Sequence, residues 1–235
     1  MALDEERSSH RERPDELGTD RGQDLSRLLA LSDGVFAFAM TLLVINLIVP
    51  TSAALDSLAP GQGTNAQLAR YLTGEETAFF AYGLAFFIIG TWWTAHQRIF
   101  RVLREYDRRL VMTNLVFLLF IAITPFEVGM LANFGDTSVA VVFYAATQAL
   151  VGAMLLTLWL YVRGPGRPLV SSHVPPAVLD RGARGALLAP AGFALSIPAA
   201  IVAPYAGIGV WFVVLAVRFA VLRRGEPSRR PAARP

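Results

Sequence analysis

Polar residues in this chain stand where polar residues are hard to place. Asp33, preceded by Ser32 and followed by Gly34, lies inside the string RLLALSDGVFAFAMTLLVINLIVP of residues 27–50. A carboxylate in such a run is expensive to remove from water, must face protein or a wet cavity, and is by default a functional hypothesis. His96 closes a second apolar run in WWTAHQRIF, one helical turn after Trp93. An indole N–H and an imidazole can both donate to carboxylate or hydroxyl oxygens. Ser32, Asp33, Trp93 and His96, with Arg27 close by in sequence, therefore read as a polar network joining two helices. The competing reading is a Trp belt at a membrane interface with an exposed His. Glu127, two residues after Pro125 in a third run, reads as a headgroup-level acid, with proton handling as its alternative.

These residues are carried by a membrane protein. Of 235 residues, 54% are hydrophobic and 17% charged, and the mean hydropathy is +0.47, far from the balance of a soluble domain. A bilayer core takes roughly 20 apolar residues per helix, and each spanning backbone must satisfy its own hydrogen bonds. Six runs meet that requirement, near 28–49, 77–95, 110–132, 138–162, 186–203 and 205–222, the last two parted only around 204–207. The expected fold is all-α with six transmembrane helices. There is no cysteine, which removes disulfides, zinc-thiolate sites, iron–sulfur clusters and a catalytic thiol together. His-Glu-x-x-His, Gly-x-Ser-x-Gly and phosphate-loop patterns are absent, and Gly164-Pro165-Gly166 lacks the context of a dinucleotide fingerprint, so an enzyme is not expected. His10 and His173 carry no partner signature. No cofactor and no resident metal are implied.

All 21 basic residues are arginine, and they sit between apolar runs instead of on one continuous face, which argues against nucleic acid as a partner. Residues 1–27 hold 5 arginines, 96–109 hold 5, 163–185 hold 4 and 218–235 hold 6, whereas Arg70 stands alone. Positively charged loops resist translocation, so six spans place those four segments, and both termini, on the cytoplasmic side of a cell membrane. Residues 1–24 contain 12 charged residues of mixed sign and almost nothing apolar, too little to offset the entropy of ordering. The expected organisation is a disordered cytoplasmic tail over 1–26, a six-helix membrane domain over 27–222 and a basic cytoplasmic tail over 223–235 that can touch lipid headgroups. The first run begins late, is too long and lacks a cleavage pattern, so it does not read as a signal peptide.

At 100° per residue, Leu31, Gly34, Phe38, Thr41, Leu42, Ile45 and Val49 fall within about 60° of one direction. Asp33 points about 140° and Ser32 about 120° away from Phe38. One helix thus presents an apolar stripe on one face and a polar pair on another.

The pattern Arg27-x-x-x-Leu31-Ser32-Asp33-Gly34, followed by VFAFAMTLLV with Thr41, resembles the opening helix of the transmembrane-protein-175 family of potassium channels. Trp93-x-x-His96-x-x-x-Phe100 resembles the end of that family's second span, and LVFLLFIAITPFEVGML, with Pro125-Phe126, its third. The resemblance implies a potassium-permeable cation channel, weakly to moderately selective, assembled as a homotetramer in the lipid membrane around a central pore lined by the first helix of each subunit. Matched by position, the pore constriction falls at Phe38, Leu42 and Ile45, with Thr41 and Gly34 adjacent, on the stripe that the helical arithmetic gives independently. The same match assigns Arg27, Ser32, Asp33, Trp93 and His96 to a structural network near the cytoplasmic mouth. An apolar ring gates by dewetting, and an ion that sheds water cheaply passes more readily. No second Ser-Asp-Gly copy exists in the chain, so several copies must enclose one pore, and small Gly34, Ala37 and Ala39 permit close helix approach.

Three positions depart from the family pattern. Leu31 replaces an aromatic residue, Phe38 stands where a branched aliphatic residue is usual and narrows the pore, and Asn46 takes a place often acidic near the outer mouth. Two other readings compete. A proton-coupled transporter would use Asp33, His96 and Glu127 as a relay and Pro190, Pro198 and Pro204 as helix breaks, although no matching half answers them. A non-conducting membrane interaction protein of the same fold is the other.

Overall fold

The computed structural model describes residues 14–224, and among these the chain is helical with one isolated antiparallel bridge, Leu103 to Val170. Helix α1 (Pro14–Leu42) tightens into a 3-10 turn, Leu43–Asn46. Two short helices follow, α2 (Ser52–Leu58) and α3 (Thr64–Gly74). The remaining helices are α4 (Glu76–Phe100), α5 (Arg108–Phe134), α6 (Ser138–Arg163), α7 (Pro176–Val202) and α8 (Pro204–Arg224). Among the described residues, five stretches are long and apolar enough to cross a membrane: Asp24–Asn46, Ala78–Phe100, Arg108–Phe134, Ser138–Arg163 and Pro176–Val202. Pro204–Val214 of α8 is a shorter apolar stretch among the described residues.

Local chemistry sets several of these boundaries. Thr51, Asp107 and Thr137 cap α2, α5 and α6 by accepting the N–H groups of Ala54, Leu110 and Ala140. Proline opens α7 and α8 at their first positions, where no N–H is needed.

Four expectations are corrected. Residues 14–26, read as part of a disordered tail, belong to α1; extending a helix that already exists carries no nucleation cost, so a polar sequence can follow an apolar one into it. The expectation for residues 1–13 and 225–235 falls outside the described residues. Val49 drops from the apolar stripe, because the helix ends in the 3-10 turn and Leu47 is extended, where 100° spacing no longer applies. Helix α7 begins ten residues before the expected 186, since Pro175-Pro176 is a helix start. It also runs unbroken through Pro190 and Pro198, so the interrupted span of the transporter reading is not present there.

Successive long helices run up and down. The middle of α1 meets the end of α4 and the start of α5 through Asp33–Trp93 and Ser32–Asn114. The 3-10 turn at its far end meets the second half of α5, where the Asn46 amide donates to the Pro125 carbonyl at 3.0 Å. Tyr161 near the end of α6 donates to Asp107 at the start of α5. Beside that pair the two turns at the arginine-rich end are clipped together, Arg104 N–H donating to Leu169 C=O at 2.9 Å and Ser171 N–H to Val102 C=O at 2.9 Å. Burial pushes the Asp107 carboxyl up, but the hydrogen bonds from Tyr161 and the Leu110 N–H, with Arg109 nearby, outweigh it and hold the group below its ordinary value.

Candidate functional site

The site is the helix α1 and what holds its back. Leu28, Ser32, Phe36, Ala39 and Leu43 recur at spacings of 4, 4, 3 and 4 and are all buried. Leu31, Gly34, Phe38, Thr41 and Ile45 recur at 3, 4, 3 and 4 and are exposed, Phe38 by 64% and Ile45 by 69%. Leu42 is half-buried at the edge of that stripe. The side chain of Thr41 donates back to the Phe38 carbonyl at 2.9 Å, so the exposed face offers carbon and no free hydroxyl proton. Gly34 has nothing within 4 Å of where a Cβ would stand, which makes it open surface in the single chain.

Two polar clusters fix the rotation of α1, where the sequence suggested one. In the first, the Ser32 hydroxyl donates to the Leu28 carbonyl (3.0 Å) and accepts from the Asn114 amide (3.0 Å), while Asn114 Oδ1 pairs with His96 Nε2 (2.8 Å). Since Oδ1 only accepts, the imidazole proton is on Nε2, and Nδ1 is left without a partner among the described residues. Ser32, Asn114 and His96 are fully buried. The His96 ring stacks on Phe117 (5.3 Å, 5°) and Phe100 (4.4 Å, 30°) and tilts against Phe36 (5.6 Å). In the second cluster Asp33 Oδ1 accepts from the Trp93 indole (2.7 Å) and from the Gln97 amide. Consecutive residues diverge by 100°, which is why Ser32 and Asp33 serve different neighbours.

Arg27 joins neither cluster. It is exposed, and no hydrogen bond or ion pair among the described residues links it to the other four. Six residues before Asp33, it lies about 9 Å along the axis and about 120° around it. The exposed-His reading fails too, because His96 is buried between three rings. Asn114 and Gln97 went unrecognised in sequence. Gln97 follows Trp93 by four and Asn114 is an amide inside an apolar run, and both signals were readable.

A third cluster surrounds Glu127, which packs inside the protein and not on its solvated surface. It is fully buried, accepts from the Gln148 amide, and Gln148 in turn accepts from the Trp92 indole at 2.8 Å. The direct partner of Glu127 is Gln148 on α6, which Trp92 of α4 holds in place, while Oε2 has no hydrogen-bond partner among the described residues. Two residues to either side, α5 holds the end of the α1 unit: Pro125 accepts from Asn46, and a Cβ on Gly129 would lie 2.6 Å from Asn46 Oδ1. Asn46 is thus turned toward α5 and tied there.

A potassium channel of Streptomyces collinus is 30% identical over 183 residues, 75% of this chain and 82% of that protein. The chain belongs to the TMEM175 family. Its members' family model, described as endosomal/lysosomal potassium channel TMEM175, matches residues 27–125, which takes in α1 from Arg27 onward, α2 to α4 and most of the α5 stretch that clamps α1. A potassium channel of Chamaesiphon minutus is 28% identical over 204 residues, 84% of this chain and 94% of that protein. The crystal structure of a lysosomal potassium-selective channel TMEM175 homologue from the same organism superimposes with a TM-score of 0.69 at 24% identity, over 87% of this chain and 100% of that one. The TMEM175 fold is therefore shared. TMEM175 is a family of ion channels and not of enzymes, and this member is a multi-pass membrane protein.

Proposed function

We propose that this protein is a potassium-permeable cation channel of weak to moderate selectivity, conducting passively through a pore that four copies form with α1. Phe38, Leu42 and Ile45 make its apolar constriction, with Thr41 and Gly34 beside it. Ser32, Asp33, Trp93 and His96 act structurally, setting the rotation that aims the stripe at the axis; Arg27 is solvated at the mouth. Helix α8 is the sixth span, and the arginine-rich end, with both termini, is cytoplasmic.

The observation that carries this reading is the division of α1 into a face anchored by two polar clusters and a face that is exposed, apolar and unpartnered in one chain. Such a face in a membrane must meet lipid, another subunit or a pore, and polar anchoring opposite it is wasted on lipid. The names of the relatives support potassium as the ion. A ring of apolar side chains passes ions by wetting, with no carbonyl cage, and favours the cation that dehydrates more cheaply.

The test is a reversal-potential measurement on purified protein in planar bilayers under a potassium gradient, repeated with sodium and with a proton gradient, for wild type and Phe38→Ala. The expected result is a potassium-directed reversal, with larger current and weaker discrimination in the variant. Current only in the variant would mean that the phenyl rings close the pore. Silence in both, from assembled protein, would favour a non-conducting interaction protein.

A further inference from the structure

Along α4 runs a half-open crevice of about 310 Å³ that neither polar cluster uses. Ala78, Ala81, Ala85 and Ile88 form its floor at helical spacings of 3, 4 and 3. Leu131 of α5, Tyr144 of α6 and Trp211 of α8 stand opposite. The indole N–H of Trp211 is already given to Ser196 at 2.8 Å, so it makes no demand on an occupant. At one end, the end away from the arginines, the lining reaches Gly74 and Glu75, and Glu75 is its one charged residue.

From this geometry we infer that the crevice is a binding groove for one acyl chain of a lipid whose headgroup carries an ammonium. The floor from Ala78 to Ile88 rises about 15 Å, half of the roughly 30 Å bilayer core and thus the depth of one leaflet. Its axis follows α4, as a chain in that leaflet would. The walls are mostly carbon, with alanines where larger residues would close the gap, and such apolar walls lose dispersion contacts while the groove is empty. The acid sits only at the mouth, where a headgroup belongs, and it attracts an ammonium and repels a phosphate that has no cation beside it. The inference rests on the bilayer placement proposed above and not on conduction.

The test uses the assembled full-length protein reconstituted with equal phosphatidylethanolamine and phosphatidylglycerol, extracted, and weighed by native mass spectrometry. Wild type should retain phosphatidylethanolamine with a preference of about threefold, the size of an exposed charge contact. Ala81→Phe, which fills the groove, should lose the retained lipid with assembly unchanged, and Glu75→Gln should keep a lipid but lose the headgroup preference. Equal retention by Ala81→Phe, or a wild type that retains none, overturns the inference. Dissociation of the oligomer by Ala81→Phe overturns it in another way, by making the groove a contact between copies. Should Ala81→Phe not fold, phosphatidylethanolamine brominated on its chain must quench wild type more than Trp211→Phe, and equal quenching overturns the proposal. None of these readouts depends on current, so failure here and failure of the channel reading are separable.

Discussion

The α1/α4/α5 half of the molecule is stitched by side-chain hydrogen bonds, whereas the α6/α7/α8 half is held mainly by shape. In the first half, Ser32–Asn114–His96 and Asp33–Trp93–Gln97 cross between helices, and the Asn46 amide closes the far end. In the second, glycines admit a neighbour where a Cβ would collide. A Cβ on Gly152 would lie 2.7 Å from Pro190 Cδ, one on Gly182 would run into the Trp159 ring, and one on Gly207 would lie 2.6 Å from the Ala200 Cβ. Without a hydrophobic drive between helices in lipid, close packing and interhelical hydrogen bonds are the two available means of association. They do different jobs. Close packing fixes distance and tolerates some rotation, while a hydrogen bond fixes the angle at which a helix presents its faces. The half that carries the exposed stripe uses the means that controls rotation, and the other half acts as its rigid support. Trp92–Gln148–Glu127 joins the halves in their interior, and Tyr161–Asp107 joins them at the arginine-rich end.

The comparison can be broken hardest in the packed half. Gly152→Ala places a carbon against the Pro190 ring and backbone nitrogen, 2.7 and 2.9 Å away, neither of which can swing aside. It should cost about 1–3 kcal/mol, as overpacking does, read as a lower thermal midpoint in detergent. Gly34→Ala, with open space around it, is the contrast: the fold should gain a few tenths of a kcal/mol, up to about 1, from helix propensity. A loss of assembly with Gly34→Ala would show that the stripe faces another subunit closely.

In the stitched half, Asn114→Leu leaves both Ser32 and His96 buried without their shared partner and should cost about 1–2 kcal/mol, the upper range for polar pairs in membranes. Asp33→Asn keeps an acceptor oxygen for Trp93 and Gln97 and should cost less, about 0.5–1 kcal/mol. It should lower oligomer yield or heat stability more than it changes ion selectivity. A selectivity change in a normally assembled Asp33→Asn protein would make Asp33 part of the conduction path.

The smallest expected effect is a pH dependence at the arginine-rich end. Because the folded Asp107 carboxyl lies below its ordinary 3.8, its contribution is fully present above that pH and is lost as the pH falls through the lower folded value. Thermal midpoints measured from pH 6 downward should decline more steeply in wild type than in Tyr161→Phe, which removes one of the bonds that lower it. Identical slopes would remove the Asp107–Tyr161 contact from the account.

Much of this was legible in the residues. The apolar runs appear as helices, the stripe of α1 follows from 100° spacing, and Asp33–Trp93 was readable as a pair. What was not legible came from two sources. Residues whose partners lie far away in sequence, Asn114 with Ser32 and Glu127 with Gln148, give no local sign that burial is compensated. Places where helix geometry changes, such as the 3-10 turn at Leu43–Asn46, defeat any extrapolation of period, and Val49 was lost there. The short α2 and α3 lay in a connection where polar composition hides local order. Gln67 ties them, donating to Asp56 (3.0 Å) and to the Ala59 carbonyl (3.1 Å).

The central claim is that the exposed face of α1, and not its anchored face, lines the ion path. The chain has no cysteine, so single substitutions can be read without background. Potassium current should be blocked by a cationic thiol reagent in Phe38→Cys and Ile45→Cys and unaffected in Ala39→Cys and Leu43→Cys. Block at Ala39→Cys or Leu43→Cys with none at Phe38→Cys or Ile45→Cys would contradict it.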